Sequence, residues 1–484
     1  MSANDFYAIS PLGLLLVWAM VLLLVDLFIP DGHKGWTALL AGMGMVASLA
    51  LTLTQINRPT AAFNGMLLVD GFAAFLNVLF LSSGLAGIGL AYDYLKRMGI
   101  ERGEYYSLLM FTVGGMMLMA QAGDLIVVFL ALELLSIPLY VMAGFARPRL
   151  DSEEASLKYF LLGSFASGFV LFGVAMIYGA TGHTGLQEII AVLHAGQSNF
   201  PVLFLIGSAM LLVGFGFKVA AVPFHMWTPD VYQGSPSPVS GFMSVGAKAA
   251  GFAALLRVFV LIFPSLATDL IPVTWLGAAL TMIVGNILAI SQSNIKRMLA
   301  YSSIAHAGYI LMAFVPFGNP KFAPDAVASA LFYLATYALT SIGAWAVVIA
   351  MEQSEGGKGL DLSDYAGLSR RYPVLSAAMA IFMLSFTGVP PLVGFWGKFY
   401  LFRTVIEAGF INLAVIGLIT SIISAFYYLR VIYWMYMREG QPTARREGWL
   451  NLTVIVSAVV VLVISILPNT LFTLAAQANL IKFF

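Results

Sequence analysis

The stretch Phe215–Trp227, FGFKVAAVPFHMW, holds two costly features within two helical turns. Lys218 stands in an apolar run, and Pro223 follows five residues later. A charged side chain at bilayer depth is expensive and marks a functional site by default. A proline inside a helix removes a backbone hydrogen bond and kinks or breaks the helix. A second stretch, Phe386–Phe402, FTGVPPLVGFWGKFYLF, echoes the first: a Val-Pro pair, aromatics ending in Trp396, and one lysine, Lys398. Pro223 and Pro390 are 167 residues apart; Lys218 precedes its proline by five and Lys398 follows by eight. Paired Pro-interrupted apolar segments in two halves of a chain point to an inverted-repeat transporter with its ion site at the breaks. Broken helices also expose backbone groups that hold water.

The composition around these stretches agrees. Of 484 residues, 60% are hydrophobic and 10% are charged, against about 25% charged in soluble globular proteins. Mean hydropathy is +0.92, and apolar runs long enough to span a bilayer recur along the chain. The class is an all-α polytopic membrane protein. A net charge of +1 gives no footprint for nucleic acid. The absence of cysteine excludes disulfides, iron–sulfur clusters and thiolate metal sites. His33, His183 and His194 fall in expected loops, leaving His225 and His306 as the intramembrane pair a haem would need. No cofactor is expected in this chain. GFGF at 214–217 follows no strand and reads as helix-packing glycines. The first apolar run, 9–29, exceeds a signal-peptide core and has no basic flank, so it reads as a first span.

Loop signals divide the chain into about fourteen spans, near 9–29, 35–56, 71–94, 105–121, 124–145, 155–180, 202–223, 239–263, 270–292, 297–316, 324–351, 373–405, 409–437 and 449–468. The seventh continues as a half-helix beyond Pro223. Loops after odd-numbered spans carry fourteen Lys and Arg, among them Lys96, Arg97, Arg297, Arg370 and Arg371. Loops after even-numbered spans, with the C-terminus, carry four: Arg58, Lys321, Arg403 and Lys482. Lys and Arg favour the cytoplasmic side, so both termini are expected outside, in the periplasm of a bacterium. Five spans separate the two prolines, so the two copies should cross the membrane in opposite senses.

Six basic residues remain inside spans: Lys158, Lys218, Lys248, Arg257, Lys398 and Arg430. Arg257 and Arg430 lie near span ends, where a long side chain can snorkel to the interface. Lys158 is one turn into its span, after DSEE, as a solvated helix start would place it. Glu133 stands near mid-span, the deepest acid in the pattern. Lys248 is mid-span among small residues, and His306 is mid-span with Ser302, Ser303 and Tyr309 nearby. Low dielectric favours a neutral lysine, and a carboxylate nearby favours its charged form. Glu133 and Lys218 can therefore form a switchable pair. Lys248 and His306 can pass a proton on, and Lys398 can be the last stop. Bases and one acid at membrane depth suit proton transfer rather than redox chemistry.

Three motifs, FKVAAVPFHMWTPDVYQGSPSPVSGF, KRMLAYSSIAHAGYIL and FTGVPPLVGFWGKFYLF, carry a resemblance over nearly the whole chain. It resembles the antiporter-like membrane subunits of respiratory NADH:quinone oxidoreductase and the related subunits of multisubunit sodium/proton antiporters. Lys398, where M-type subunits carry a glutamate, resembles the N-type branch. L-type subunits continue into a long lateral helix, which is not expected here. The resemblance implies two inverted five-helix repeats, spans 4–8 and 9–13, each with a broken helix (spans 7 and 12). The expected division is 1–104 for the N-terminal helices, 105–263 and 264–438 for the repeats, and 439–484 for the last helix. It also implies proton-transfer roles for Glu133, Lys218, Lys248, His306 and Lys398, with Lys158 and His225 as further candidates. The implied partners are an M-type antiporter-like subunit, small K/J/A-type membrane subunits and lipids. Flavin, iron–sulfur clusters and quinone would belong to partner subunits. Three alternatives stay open: a cation/proton antiporter subunit, a ferredoxin–plastoquinone relative of the complex, and a scaffold that moves no protons. The last is disfavoured by polar residues inside several spans.

Overall fold

In lipid an apolar segment satisfies its backbone by forming a helix, and helices make up most of this structure. It is a computed structural model that describes residues 2–56, 58–196, 200–262, 266–353, 358–478 and 480. The expected end of span eight at 263 and the terminal Lys482 lie outside the described residues.

The chain runs through α1 (Ala3–Asp26) and α2 (Gly35–Gln55), then a small antiparallel pair, β1 (Thr60–Ala62) and β2 (Leu67–Val69). Next come α3 (Gly71–Arg97), α4 (Glu104–Gln121), α5 (Leu125–Ala143), α6 (Leu150–Thr181), α7 (Leu186–His194), α8 (Pro201–Val219), α9 (Trp227–Gly234), α10 (Ser237–Phe242) and α11 (Lys248–Ile262). The second half follows as α12 (Ala267–Ile290), α13 (Ile295–Leu311), α14 (Ala323–Met351), α15 (Leu368–Arg371), α16 (Pro373–Thr387), α17 (Val393–Glu407), α18 (Ile411–Met437), α19 (Gly448–Ile466) and α20 (Pro468–Gln477). A π-helical turn, Met243–Ala247, joins α10 to α11. Among the described residues, twelve helical segments are long and apolar enough to cross a membrane. Of the fourteen expected spans, α4 and the interrupted α16–α17 are not among these twelve. The two halves of α16–α17 are only 15 residues each.

Both breaks are built alike. α8 ends at Ala220, whose φ is 59°, and the Ala221 N–H reaches back to Gly216 O at 2.8 Å. α16 ends at Gly388, φ 88°, and the Val389 N–H reaches back to Leu384 O at 3.2 Å. A left-handed residue with a six-to-one bond is a helix C-cap, so each helix stops three residues before a proline rather than at it. The caps align Ala220 with Gly388. This makes Pro391, not Pro390, the counterpart of Pro223.

A second echo lies at the starts of α5 and α13. Asp124 caps α5 by accepting from the Ile126 N–H at 2.7 Å, and Asn294 caps α13 by accepting from the Lys296 N–H at 3.0 Å. Each cap residue also forms a single antiparallel bridge, Asp124 with Gly185 and Asn294 with Asp361. Both echoes pair a residue of 105–263 with one of 264–438.

Burial separates two kinds of helix. In the spans Ser237–Val260, Ile295–Gly318 and Ala323–Met351 the apolar window is 94% buried, against 33% in α1, α18 and α19. The three enclosed spans carry Lys248 and His306, so these groups sit at the centre of the bundle.

Candidate functional site: a row of buried bases

Lys218 is in the last turn of α8, where the helix dipole favours a cation. Its buried Nζ donates to Ser136 Oγ at 2.7 Å, with Tyr140 OH at 3.4 Å. It also lies over the rings of Tyr140 and Tyr159, at 5.4 and 5.6 Å. Ser136 in turn donates to Leu132 O. Glu133 is one turn before Ser136 on the same face of α5. Its Oε1 is buried without a hydrogen-bond partner among the described residues. Among the described residues no ion pair within 4 Å joins Glu133 to Lys218. In this structure Lys218 therefore bonds Ser136 rather than the expected carboxylate partner.

Lys248 opens α11 directly after the π turn, a feature frequent at functional sites. Its Nζ donates to Ser303 O at 2.5 Å and Ser303 Oγ at 2.7 Å. Lys248 belongs to the first half of the chain and Ser303 to the second, so this contact joins the two. On α13, His306 has a tyrosine at each ring nitrogen: Tyr333 OH at 2.7 Å from Nδ1 and Tyr428 OH at 3.0 Å from Nε2. Tyr428 OH also bonds Ser302 Oγ. A cavity of about 10 Å³ borders His306, Tyr333, Thr336, Ser385, Phe386 and Gly394; that is room for about one water.

Lys398, on α17, reaches back across the second break. Its Nζ donates to Phe386 O at 3.0 Å, Thr387 O at 2.9 Å and Ser421 Oγ at 2.7 Å, and lies 5.0 Å from the Tyr309 ring centroid. Phe386 and Thr387 end α16, whose last carbonyls lack intrahelical partners and favour a cation. The unequal spacing of the lysines from their prolines therefore has a physical resolution. Lys218 sits in the last turn before its break and bonds a neighbouring helix, whereas Lys398 reaches the end of the broken helix from the far side of the break. The helix-start echo also shifts Ser136 onto His306 and Glu133 onto Ser303.

Lys158 and His225 stand apart from this row. Lys158 is two turns into α6, 2.6 Å from Glu154 and 3.0 Å from Asp230. Asp230 also pairs with Arg297 at 2.7 Å. All four border a cavity of about 320 Å³ with Arg149, Asn294 and Asp361. His225 is buried in the first break.

Arg257 does not snorkel. Arg257 is fully buried and bidentate to Asp70, at 2.5 and 2.9 Å, with further donation to Ala120 O. Arg430 donates to Ile290 O at 2.8 Å and Gln292 O at 2.6 Å, which caps the end of α12. Each arginine found acceptors inside the protein, which the distance to a span end could not reveal. Glu133 is also not the most enclosed acid. Glu352, assigned to a loop from sequence, is fully buried and accepts from Ser237 at 2.5 Å and Tyr94 at 3.3 Å.

Sequence reasoning missed most of the hydroxyls that hold the bases, Ser136, Tyr333, Tyr428 and Ser421, and placed Ser303 near His306 rather than at Lys248. A serine three residues after Glu133 was the one signal available, since that spacing shares a helix face.

A membrane bundle with two capped helix breaks and enclosed lysines defines a class of ion-moving membrane subunits. Residues 122–424 match the family described as NADH:quinone oxidoreductase/Mrp antiporter, transmembrane, and the chain belongs to this family. It is 48% identical to NADH-quinone oxidoreductase subunit N of Chloroflexus aggregans over 480 residues, 98% of this chain and 97% of that protein. It resembles a chain of respiratory complex I from Thermus thermophilus, solved with bound aureothin, at 37% identity and a TM-score of 0.82, covering 96% of this chain and 99% of that one. A chain of the Mrp complex from Dietzia sp. shares the fold, at 20% identity and a TM-score of 0.85, covering 99% and 97%.

Proposed function

We propose that this chain is the N-type proton-translocating subunit of a respiratory NADH:quinone oxidoreductase, moving protons along Lys218, Lys248, His306 and Lys398, with Glu133 modulating Lys218. The observation that carries this reading is the set of four enclosed bases, each held by hydroxyl or carbonyl oxygens rather than by a carboxylate. Such a base can lose its proton without leaving an uncompensated buried counter-charge. The chain supplies no redox site in this reading. The driving energy arrives from partner subunits that hold flavin, iron–sulfur clusters and quinone. Its neighbours are an M-type antiporter-like subunit, small K/J/A-type membrane subunits and lipid, in a bacterial inner membrane with both termini periplasmic. The two halves, 105–263 and 264–438, act as inverted repeats.

Lys218→Ala in the intact complex tests this, with proton uptake by membrane vesicles measured per NADH oxidised. A lower ratio supports the role, and an unchanged ratio removes it. Cation/proton antiport without redox input is the second reading and rests on fold likeness alone. NADH-independent sodium-for-proton exchange by the chain and its neighbours would favour it.

A further inference from the structure

Buried hydroxyls are informative when both sides of a titratable ring depend on them. His306 is enclosed by aromatic residues, with Phe386 at 5.2 Å and Tyr337 at 4.9 Å between ring centroids. Its polar partners are two phenols, one at each nitrogen. A neutral imidazole carries a proton on one nitrogen and accepts at the other. When Tyr428 donates to Nε2, Nδ1 must donate to Tyr333, and the reverse holds if Tyr428 turns. The tautomer of His306 is therefore tied to the orientation of the Tyr428 hydroxyl.

Tyr428 is fixed by two further contacts. Its hydroxyl bonds Ser302, adjacent to the Ser303 that holds Lys248. Its ring stacks on Phe386, with centroids 5.4 Å apart and planes at 22°, and Phe386 O accepts from Lys398. One side chain thus touches the surroundings of Lys248, His306 and Lys398 together.

Resting on the reading above, we propose that Tyr428 sets the tautomer of His306, and that Ser302, Tyr428, His306 and Tyr333 form the hydroxyl–imidazole bridge by which a proton passes between the two halves. A proton arriving at Ser302 Oγ displaces the Ser302 hydroxyl proton to Tyr428. The Tyr428 hydroxyl proton moves to Nε2, and the Nδ1 proton moves to Tyr333. The Tyr333 hydroxyl proton then leaves into the small cavity bordered by Ser385, Phe386 and Gly394, at the second break. Each oxygen and the ring gain one proton and lose one. The relay leaves the ring protonated on Nε2 in place of Nδ1, so before the next transfer the hydroxyls reorient, the Nε2 proton leaves and one returns to Nδ1, by way of the small cavity that borders His306. Tyr428 is a positioning and relay residue here.

The test uses the assembled complex in proteoliposomes, read as protons moved per NADH oxidised and as the solvent deuterium isotope effect on that movement. Tyr428→Phe and Ser302→Ala should both reduce the ratio to that of Lys248→Met. Tyr400→Phe is the control, because its hydroxyl bonds Asn469 at 2.9 Å and neither Tyr428 nor His306; it should keep the wild-type ratio and isotope effect. If Tyr428→Phe fails to assemble, Ser302→Ala decides, since it removes only the outer hydroxyl. Unchanged ratios in Ser302→Ala or Tyr428→Phe would overturn the bridge, as would an equal loss in Tyr400→Phe. An unchanged ratio in Lys248→Met would instead overturn the function on which it rests.

Discussion

Asp70→Ala tests how the molecule holds charge in its interior. Asp70 does two things: its carboxylate receives both terminal nitrogens of the fully buried Arg257, and it caps α3 by accepting from the Ala73 N–H at 2.8 Å. Breaking a buried pair leaves an uncompensated charge at about 3–5 kcal/mol, and losing an N-cap costs about 1 kcal/mol. Asp70→Ala should therefore destabilise by about 4–6 kcal/mol. Arg257→Ala keeps the cap and should cost somewhat less, although it leaves Ala120 O without its guanidinium donor. The double substitution orphans no charge and should cost clearly less than the sum of the two. Arg403→Ala is the reference, since the exposed Arg403–Glu407 pair should contribute about 0.2–1 kcal/mol. Thermal unfolding of the detergent-solubilised complex, followed by intrinsic fluorescence, reads the order. The reasoning fails if Asp70→Ala is no worse than Arg403→Ala, or if the double variant equals the sum.

Three further predictions use the same measurement or simpler ones. Gly388→Ala places a Cβ in a left-handed residue and 3.0 Å from Lys398 Cδ, so it should destabilise by at least about 1–2 kcal/mol, whereas Ala220→Gly at the matching cap should stabilise; opposite shifts in melting temperature would bear this out. Glu352→Ala leaves the Ser237 and Tyr94 hydroxyls without their acceptor at about 1–3 kcal/mol, and Glu352→Gln should recover part of it, judged by the yield of assembled complex. Arg430→Met removes the donors that cap α12; hydrogen exchange at the end of α12 should rise there and not at its start.

Fold class was legible in the sequence because lipid leaves little choice: long apolar runs became helices, and the paired VP stretches became paired breaks. The reason for the breaks was less legible. The prolines drew attention, but Ala220 and Gly388 end the helices by their left-handed backbone, and no rule of composition singles out an alanine for that task. Lys218, Lys248, His306 and Lys398 stood out because ionisable residues are rare in apolar spans. Their partners did not, because serine and tyrosine are ordinary in such spans and only tertiary packing brings Ser303 to Lys248 or Tyr428 to His306. Arg257 and Glu352 failed in the same direction. Both were assigned to the membrane edge or a loop, and both are enclosed, because an internal partner offsets burial wherever the chain supplies one.

The central claim is that the row of enclosed bases carries protons between the two halves of the chain. Lys248 tests it most directly, as its ammonium belongs to one half and both of its hydrogen bonds end on Ser303 of the other. The measurement is the number of protons moved per NADH oxidised by the Lys248→Met complex in sealed proteoliposomes, with assembly and electron transfer to an artificial acceptor verified. A ratio below wild type by the share this chain contributes is the predicted result. A wild-type ratio from a fully assembled Lys248→Met complex would contradict the account.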